Sequence, residues 1–212
     1  MNDICGVIFD CDGVLFESRK ANLAYYNAVL EYFGEVPVDA ADHARAHLCH
    51  TAASPQVFTQ LLGAERTPAA LSLAADLDYR QFIPFMEPEP GMPESLARLA
   101  ECYPLAVATN RGYSMLSILE HFDLSRFFQT VVTSRDVEHP KPAPDMLHEA
   151  ARRLQYVPKQ LLFVGDSELD QAAARSAGMP FAVYRGDLQA QLSLGHHAEL
   201  VDLLVTRAAR GA

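Results

Sequence analysis

The sequence predicts an α/β fold in which a parallel sheet is flanked by helices and carries an all-helical insertion after its first strand. Two patterns lead to this prediction. Along most of the 212 residues, short apolar runs alternate with amphipathic stretches, which is typical of a parallel sheet covered by helices. Between Glu17 and about Pro90 this alternation stops, and only helical periodicity is found.

Apolar runs mark the expected strands of the sheet. The five runs predicted to form strands are Cys5–Phe9, Leu105–Thr109, Thr130–Thr133, Leu161–Val164 and Phe181–Tyr184. Each is followed by polar or glycine-containing residues and then by a helical pattern. In open sheets of this kind, ligands bind at the carboxyl ends of the strands. We therefore expect the functional residues directly after these runs.

The insertion is expected to contain only helices. Ser18 is placed to cap a first helix, whose apolar residues recur every three or four positions until Gly34 ends it. Three further helical patterns cover Asp39–Leu48, Pro55–Leu62 and Pro68–Phe85.

The proline-rich stretch Glu87–Gly91 is interpreted as a hinge that leads back to the sheet. The chain is therefore predicted to have two parts. Residues 1–16 and 88–212 form an α/β core, and residues 17–87 form a helical cap.

Composition limits the possible partners and the compartment. The chain has 17 basic and 27 acidic side chains, a net charge of −10 with no dense basic run, which disfavours nucleic-acid binding. No apolar run is long enough to span a membrane, and the first is too short for a signal peptide. The four cysteines show no CxxC spacing and are expected to be free thiols in a cytoplasmic protein. Nothing in the sequence indicates an oligomeric state.

Two carboxylates follow the first strand. Asp10 and Asp12 are two residues apart, so in extended chain their side chains emerge on the same side. Gly13 then allows a sharp turn. A divalent cation would stabilise such a pair, because hard cations prefer carboxylate and carbonyl oxygens. The alternative is an acidic turn that caps the next helix.

A second acidic cluster follows the fourth predicted strand, where Gly165-Asp166-Ser167-Glu168-Leu169-Asp170 leads into a helix. Taken alone, Asp166 or Ser167 could simply be a helix N-cap. Two acidic clusters at one sheet edge can instead supply the few protein oxygens that Mg²⁺ usually takes. We therefore predict a Mg²⁺ site at this edge.

Polar and basic residues follow the two strands between these clusters. Thr109 and Asn110 end the second strand and offer donors to phosphate oxygens, although a Thr-Asn turn is common. Lys141 lies between two prolines that fix where its side chain leaves the chain, and it can neutralise a phosphate; the alternative is a solvated loop lysine. Arg111 either reaches the substrate or is exposed to solvent.

These residues resemble the four motifs of the haloacid dehalogenase superfamily of phosphohydrolases, in order and spacing. The matching segments are Asp10-x-Asp12-Gly13-Val14, Thr109-Asn110, Lys141-Pro142-x-Pro144-Asp145 and Gly165-Asp166-Ser167-x-x-Asp170. The chain is most similar to the phosphoglycolate phosphatase and β-phosphoglucomutase branch. The resemblance implies a Rossmann-like core with a helical cap, and a Mg²⁺-dependent phosphatase of a small phosphorylated metabolite.

The resemblance also implies a role for each matching residue. Asp10 would be the nucleophile that becomes an aspartyl-phosphate, and Asp12 the general acid and base. Mg²⁺ would be held by the Asp10 side chain, the Asp12 backbone carbonyl and Asp166. Asp170 would order Lys141 or metal-bound water.

The phosphoryl oxygens would be held by Thr109, Lys141 and backbone amides near Asn110, with Arg111 as a further candidate for substrate binding. Asp12 disfavours a dehalogenase or a phosphonatase, which lack this second aspartate. A sugar-phosphate mutase and a non-catalytic phosphometabolite-binding protein stay as alternatives. In the cap, the stretch His47–Ser54 could face the site, but His43, His47 and His50 are expected to lie on a polar helix face.

Overall fold

The computed structural model describes residues 4–208, with side chains through residue 205. In this part of the chain the strands are β1 (Gly6–Phe9), β2 (Phe16–Glu17), β3 (Glu87–Pro88), β4 (Leu105–Thr109), β5 (Thr130–Thr133), β6 (Leu161–Gly165), β7 (Phe181–Tyr184) and β8 (Leu192–Leu194). Six of them form one sheet in the order β5-β4-β1-β6-β7-β8, with every neighbouring pair parallel.

Helices cover both faces of this sheet and fill the insertion. They are α1 (Arg19–Tyr32), α2 (His43–Thr51), α3 (Ser54–Leu62), α4 (Thr67–Asp76), α5 (Met92–Ala100), α6 (Ser114–His121), α7 (Asp145–Leu154), α8 (Glu168–Ala177) and α9 (His197–Ala208). Over residues 4–208, no helix has the length and apolar character needed to cross a bilayer. The predicted α/β fold with a Rossmann-like parallel sheet is confirmed.

The central strand β1 is buried on both faces, which explains its uninterrupted apolar sequence. Val7 and Phe9 belong to a cluster that includes apolar residues of α5, α6 and α9. Ile8 points to the opposite face and joins a cluster with residues of α7 and α8. A parallel strand between two helical layers needs this pattern, because neither of its faces meets water.

The chain crosses between the sheet and the helical segment twice, and the two crossings run side by side. β2 and β3 pair antiparallel, with Phe16 opposite Pro88 and Glu17 opposite Glu87. The stretch interpreted as a hinge therefore begins as a strand of this two-stranded ribbon. Directly after it, Glu89 is buried, its backbone N–H donates to Leu15 O at 3.0 Å and its carboxylate accepts from the Tyr184 hydroxyl at 3.1 Å.

The helical segment has an apolar cluster of its own. Its buried members include Tyr26, Leu30, Cys49, Val57, Phe58 and Ala70, contributed by α1, α2, α3 and α4. Four helices that share one apolar interior can pack as a unit, because each buries one stripe against the others.

Two helical predictions for this segment need correction. The pattern over 68–85 is not one helix: α4 ends at Asp76, Leu77 is extended, and two 3₁₀ turns follow. The Asp78 side chain accepts from Arg80 N at 3.1 Å, which starts a new turn, and Pro84 has no N–H to donate to a longer helix. Ser18 precedes α1 but makes no side-chain cap; its hydroxyl donates to Asp12 instead.

The edge strand β8 was not predicted from the sequence. It has three residues, of which Leu194 alone is fully buried, and it pairs on one side only, with β7. A strand this short carries no usable alternation of apolar and polar residues.

Candidate active site

The residues singled out in the sequence meet at the carboxyl edge of the sheet. Asp10 follows β1, Thr109 ends β4, Lys141 lies in the loop after β5, and Asp166 follows β6. All but Asp166 are buried, and the Asp166 side chain is 17% exposed. Because β5, β4, β1 and β6 are consecutive neighbours in the sheet, their carboxyl ends bring these loops together.

Lys141 lies between two buried carboxylates. Its Nζ is 2.8 Å from Asp10 Oδ1 and 2.6 Å from Asp170 Oδ1. Burial alone would lower the pKa of Lys141, but the fields of Asp10 and Asp170 raise it above its usual value. The lysine is therefore a fixed positive charge in contact with Asp10.

Asp170 is fully occupied by hydrogen bonds. While Oδ1 accepts from Lys141, Oδ2 accepts from the Ser167 hydroxyl at 2.6 Å and from the backbone N–H groups of Ser167 and Asp166 at 3.0 and 3.2 Å. Ser167 in turn caps α8 by accepting from Asp170 N. This carboxylate positions both Lys141 and the loop that carries Asp166.

Gly13 allows the two acidic loops to approach each other. Its φ is +75°, and a Cβ placed there would lie 2.0 Å from Asp166 Oδ2. Any side chain at this position would push Asp166 away from Asp10 and would also be strained in the left-handed region. The glycine after the first acidic pair is thus needed for the second acidic cluster to reach the site.

The carboxylate oxygens at this site fit a divalent cation. One carboxylate oxygen each from Asp10, Asp166 and Asp170 lies within 4.8 Å of the others. Burial raises the pKa of Asp10 to about 7, and burial together with Asp170 and Asp10 raises that of Asp166 well above its ordinary value. Carboxylates crowded in this way favour a cation. Because both oxygens of Asp170 already accept hydrogen bonds, the oxygens that could hold Mg²⁺ are those of Asp10 and Asp166.

Asp12 points away from this cluster and into a separate network. Its Oδ1 accepts from Arg111 Nη2 at 2.6 Å, from Asn22 Nδ2 at 3.0 Å and from the Ser18 hydroxyl. Burial works to raise the pKa of Asp12, but Arg111 and His50 lower it below its ordinary value. Asp10 and Asp12, two residues apart, therefore have opposite pKa shifts.

Arg111 is buried rather than exposed to solvent. Its Nη1 donates to the Tyr79 hydroxyl at 2.6 Å, and its Nη2 donates to Asn22 Oδ1 at 2.7 Å as well as to Asp12. The Nε atom has no hydrogen-bond partner among the described residues. The guanidinium lines the cavity beside the site, so Arg111 is within reach of a bound ligand.

Asn110 and Thr109 hold the loops around Lys141 and Arg111. The Asn110 side chain accepts from Lys141 N at 2.9 Å and donates to Lys141 O at 3.0 Å, and to Thr51 O of the helical segment at 3.1 Å. The Thr109 hydroxyl accepts from Arg111 N at 3.2 Å. The side chain of Asn110 thus orders the lysine loop and contacts the helical segment.

Residues of the helical segment complete the site. Asn22 and Tyr79 were not singled out in the sequence, whereas the stretch His47–Ser54, expected as one that could face the site, contributes lining residues of the cavity. His50 is 8% exposed and lies in the site, so its expected place on a polar helix face was wrong. Its Nε2 is 4.0 Å from Asp166 Oδ2, and its Nδ1 is 3.4 Å from Asn22 Nδ2. Burial lowers the pKa of His50. His47 is half-exposed and pairs with Glu168 at 2.7 Å.

A cavity of about 590 Å³ lies between the helical segment and the sheet edge. Its polar lining includes Asp12, Asn22 and His50, and Tyr25, Leu71 and Ala74 are among its apolar lining residues. A volume of this size suits a small molecule.

Comparison with known proteins agrees with this geometry. The family model described as haloacid dehalogenase-like hydrolase matches residues 7–184. A phosphoglycolate phosphatase of Rhodobacter capsulatus is 33% identical over 186 residues, covering 84% of this chain and 83% of the relative.

Two solved structures illustrate the likeness in three dimensions. A hydrolase of the same superfamily from Geobacter sulfurreducens, of subfamily IA, variant 1, is 36% identical, with a TM-score of 0.83 over 95% of this chain and 100% of its own. CbbY from Rhodobacter sphaeroides, in complex with phosphate, has a TM-score of 0.79 at 21% identity over 93% and 96% of the two chains, and shares the fold. The chain belongs to the haloacid dehalogenase-like hydrolases, and within them it is a phosphatase, a phosphoric monoester hydrolase.

Proposed function

We propose that the chain is a Mg²⁺-dependent phosphatase that hydrolyses a small phosphorylated metabolite through an aspartyl-phosphate on Asp10. One observation carries this proposal. The Asp10 carboxylate is buried, 2.8 Å from Lys141 Nζ and beside the Asp166 carboxylate, and Asp12, two residues further along the chain, lines a small-molecule cavity. A nucleophile, a fixed cation and a metal-ligating carboxylate at one point are what phosphoryl transfer requires.

In the first half of the reaction, an Asp10 oxygen attacks phosphorus and the ester bond to the leaving oxygen breaks. With Asp12 in its protonated form, the leaving oxygen takes the proton from it, so that an alcohol departs and an aspartyl-phosphate remains. In the second half, Asp12 accepts a proton from water, and that water attacks phosphorus and releases phosphate and free Asp10.

Charge on the phosphoryl group is opposed by groups that the chain holds in place. Lys141 is kept in contact with Asp10 by Asp170, and Thr109 and the backbone near Asn110 lie at the end of the neighbouring strand. Mg²⁺, held by the Asp10 and Asp166 side chains and the Asp12 backbone carbonyl, would supply further positive charge to the phosphoryl oxygens. Preorganised charge of this kind is the main source of catalysis in phosphoryl transfer.

The helical segment, residues 17–87, is proposed to act as a cap on this site. His50 and Thr51 O of α2 already contact the core, through Asp166 and Asn110. A cap that closes over the cavity excludes water and strengthens the electrostatic interactions inside it. Enclosure also limits the leaving group to a small metabolite.

2-Phosphoglycolate is the first substrate that we propose to test, because several relatives of about 32% identity are phosphoglycolate phosphatases. The experiment measures phosphate release from p-nitrophenyl phosphate and from a metabolite panel of 2-phosphoglycolate, 3-phosphoglycerate, glycerol 3-phosphate and glucose 6-phosphate. Saturable, Mg²⁺-dependent release is expected from at least one metabolite. Release no greater than that of an identically purified Asp10→Asn variant would refute the proposal.

A further inference from the structure

We propose that His50 is a substrate-binding residue whose Nε2–H donates a hydrogen bond to an oxygen of the leaving group. This rests on the phosphatase function proposed above. His50 comes from α2, is buried, and lines the cavity. Its Nε2 has no hydrogen-bond partner among the described residues. A buried polar atom without a partner is costly unless a ligand satisfies it.

The network around Asn22 determines which nitrogen of His50 carries the proton. Arg111 can only donate, so the Asn22 side-chain atom that lies 2.7 Å from Arg111 Nη2 must be the carbonyl oxygen. The other terminal atom is then the amide nitrogen. Its two hydrogens are directed to Asp12 Oδ1 at 3.0 Å and to His50 Nδ1 at 3.4 Å.

Since Nδ1 accepts from Asn22, it has no proton, and the proton of the neutral ring must be on Nε2. The network therefore presents a fixed N–H donor to the cavity. Nε2 lies 4.0 Å from Asp166 Oδ2, and the same Asn22 amide joins His50 to Asp12. The imidazole of His50 thus lies between the proposed general acid and the proposed metal-binding carboxylate, where a leaving group of an ester attacked by Asp10 can reach its Nε2–H.

A donor in this position selects esters by the oxygens of the leaving group. The phosphoryl group is common to all substrates and is contacted by Lys141. A leaving group with a hydroxyl or carboxylate oxygen would satisfy Nε2–H, whereas an alkyl leaving group would leave this donor buried and unpaired. Discrimination of this kind is strong, because an unsatisfied buried donor is unfavourable.

The test compares kcat/KM for two esters, the panel metabolite that the wild type hydrolyses best and ethyl phosphate, whose leaving group has no oxygen beyond the ester. The variants are His50→Ala, His50→Asn and His50→Gln. A Gln side-chain amide can reach the position of Nε2, whereas that of Asn reaches only the position of Nδ1. His43→Ala is the matched control, because His43 is an exposed histidine of the same helix.

We expect His50→Ala and His50→Asn to lose about 10- to 100-fold in kcat/KM for the metabolite and less than threefold for ethyl phosphate. His50→Gln should recover most of the loss, and His43→Ala should match the wild type. Equal losses for both esters, or no loss, would overturn the role of His50 while leaving the phosphatase function intact. A wild type that hydrolyses no ester would refute the proposed function and this role together.

A second measurement does not depend on turnover or on the stability of variants. Long-range ¹H–¹⁵N spectra of the wild-type enzyme without substrate should show His50 with its proton on Nε2. A predominant Nδ1–H tautomer would overturn the hydrogen-bond assignment on which the proposal depends.

Discussion

Arg111 Nη2 lies 2.6 Å from Asp12 Oδ1, and both side chains are buried. The pair joins the residue that follows Asn110 to the second aspartate of the first acidic pair, 99 positions apart in the chain. It neutralises a carboxylate that would otherwise be buried without an opposite charge. Its formation depends on the sheet having brought the two loops together.

The buried pair leads to a prediction about stability. Arg111→Met should lower the free energy of unfolding by about 3–5 kcal/mol, because Asp12 would be left buried without its cation. Adding Asp12→Asn should recover part of this loss. Urea denaturation measures both changes, and Arg126→Met, at an exposed pair with Asp123, is the control that should change little. Arg111→Met and Arg126→Met with the same midpoint would show that the buried pair does not stabilise the fold.

The role of Asp10 predicts loss of both turnover and covalent labelling on substitution. Asp10→Asn should reduce kcat at least 10³-fold, on the order expected when a covalent nucleophile is removed, while the circular dichroism spectrum is unchanged. Acid-quenched wild type should carry hydroxylamine-labile phosphate, and the variant should carry none. Asp202→Asn, at an exposed position of α9, is the control. Activity of Asp10→Asn within tenfold of wild type would remove Asp10 from this role.

The crowded carboxylates predict that Mg²⁺ stabilises the protein as well as activating it. Added Mg²⁺ should raise the melting temperature of chelator-treated enzyme, because the cation binds the folded state and relieves repulsion between Asp10 and Asp166. Asp166→Ala should lose this shift. EDTA should abolish activity, Mg²⁺ should restore it, and Ca²⁺ should substitute poorly because its coordination shell is larger and looser. Full activity in chelator would contradict the metal assignment.

The helical segment is predicted to act as a lid that admits small esters only. Ala21, Ile83 and Met86 pack in the cluster beneath the sheet, so a deletion must spare them. Asn22 and Tyr79 are in contact, and a linker of about six Gly/Ser residues can therefore replace residues 23–78.

The wild type should release no phosphate from phosphoproteins. The lidless variant should gain measurable activity on them and lose at least tenfold in kcat/KM for the metabolite, because water enters the site and cap contacts are lost. A folded lidless variant with unchanged metabolite kinetics would show that the segment is not a lid.

The sheet and the acidic edge could be predicted because they depend on local patterns. Each strand of the sheet except β8 is a mainly apolar run. Asp10 and Asp166 directly follow such runs, and Lys141 lies in the loop after another. The network of Asn22, Arg111 and His50 could not be predicted in this way. Its members are 28 and 89 positions apart, and the contacts arise only when helices of the insertion lie on the sheet edge.

A similar limit explains the errors within the insertion. Serine is a residue type that often caps helices, but the Ser18 hydroxyl donates to the Asp12 carboxylate instead of capping α1. A hydrogen bond to a charged acceptor is stronger than one between neutral groups. His50 occupies a polar position in a polar helix, and its burial depends on Asn22 and Asp166 from other elements. Tertiary contacts override the local preference at both positions.

The paired crossings at Glu17 and Glu87 have an evolutionary consequence. Because the inserted segment leaves and re-enters the sheet domain at adjacent residues of one ribbon, its ends are spaced as those of an ordinary hairpin loop would be. Segments of very different length and sequence can therefore be exchanged at this point without altering the register of the parallel strands. Recombination at the ribbon would change the substrate preference of the enzyme and leave its reaction chemistry unchanged. Substrate preference and reaction chemistry can therefore be inherited separately.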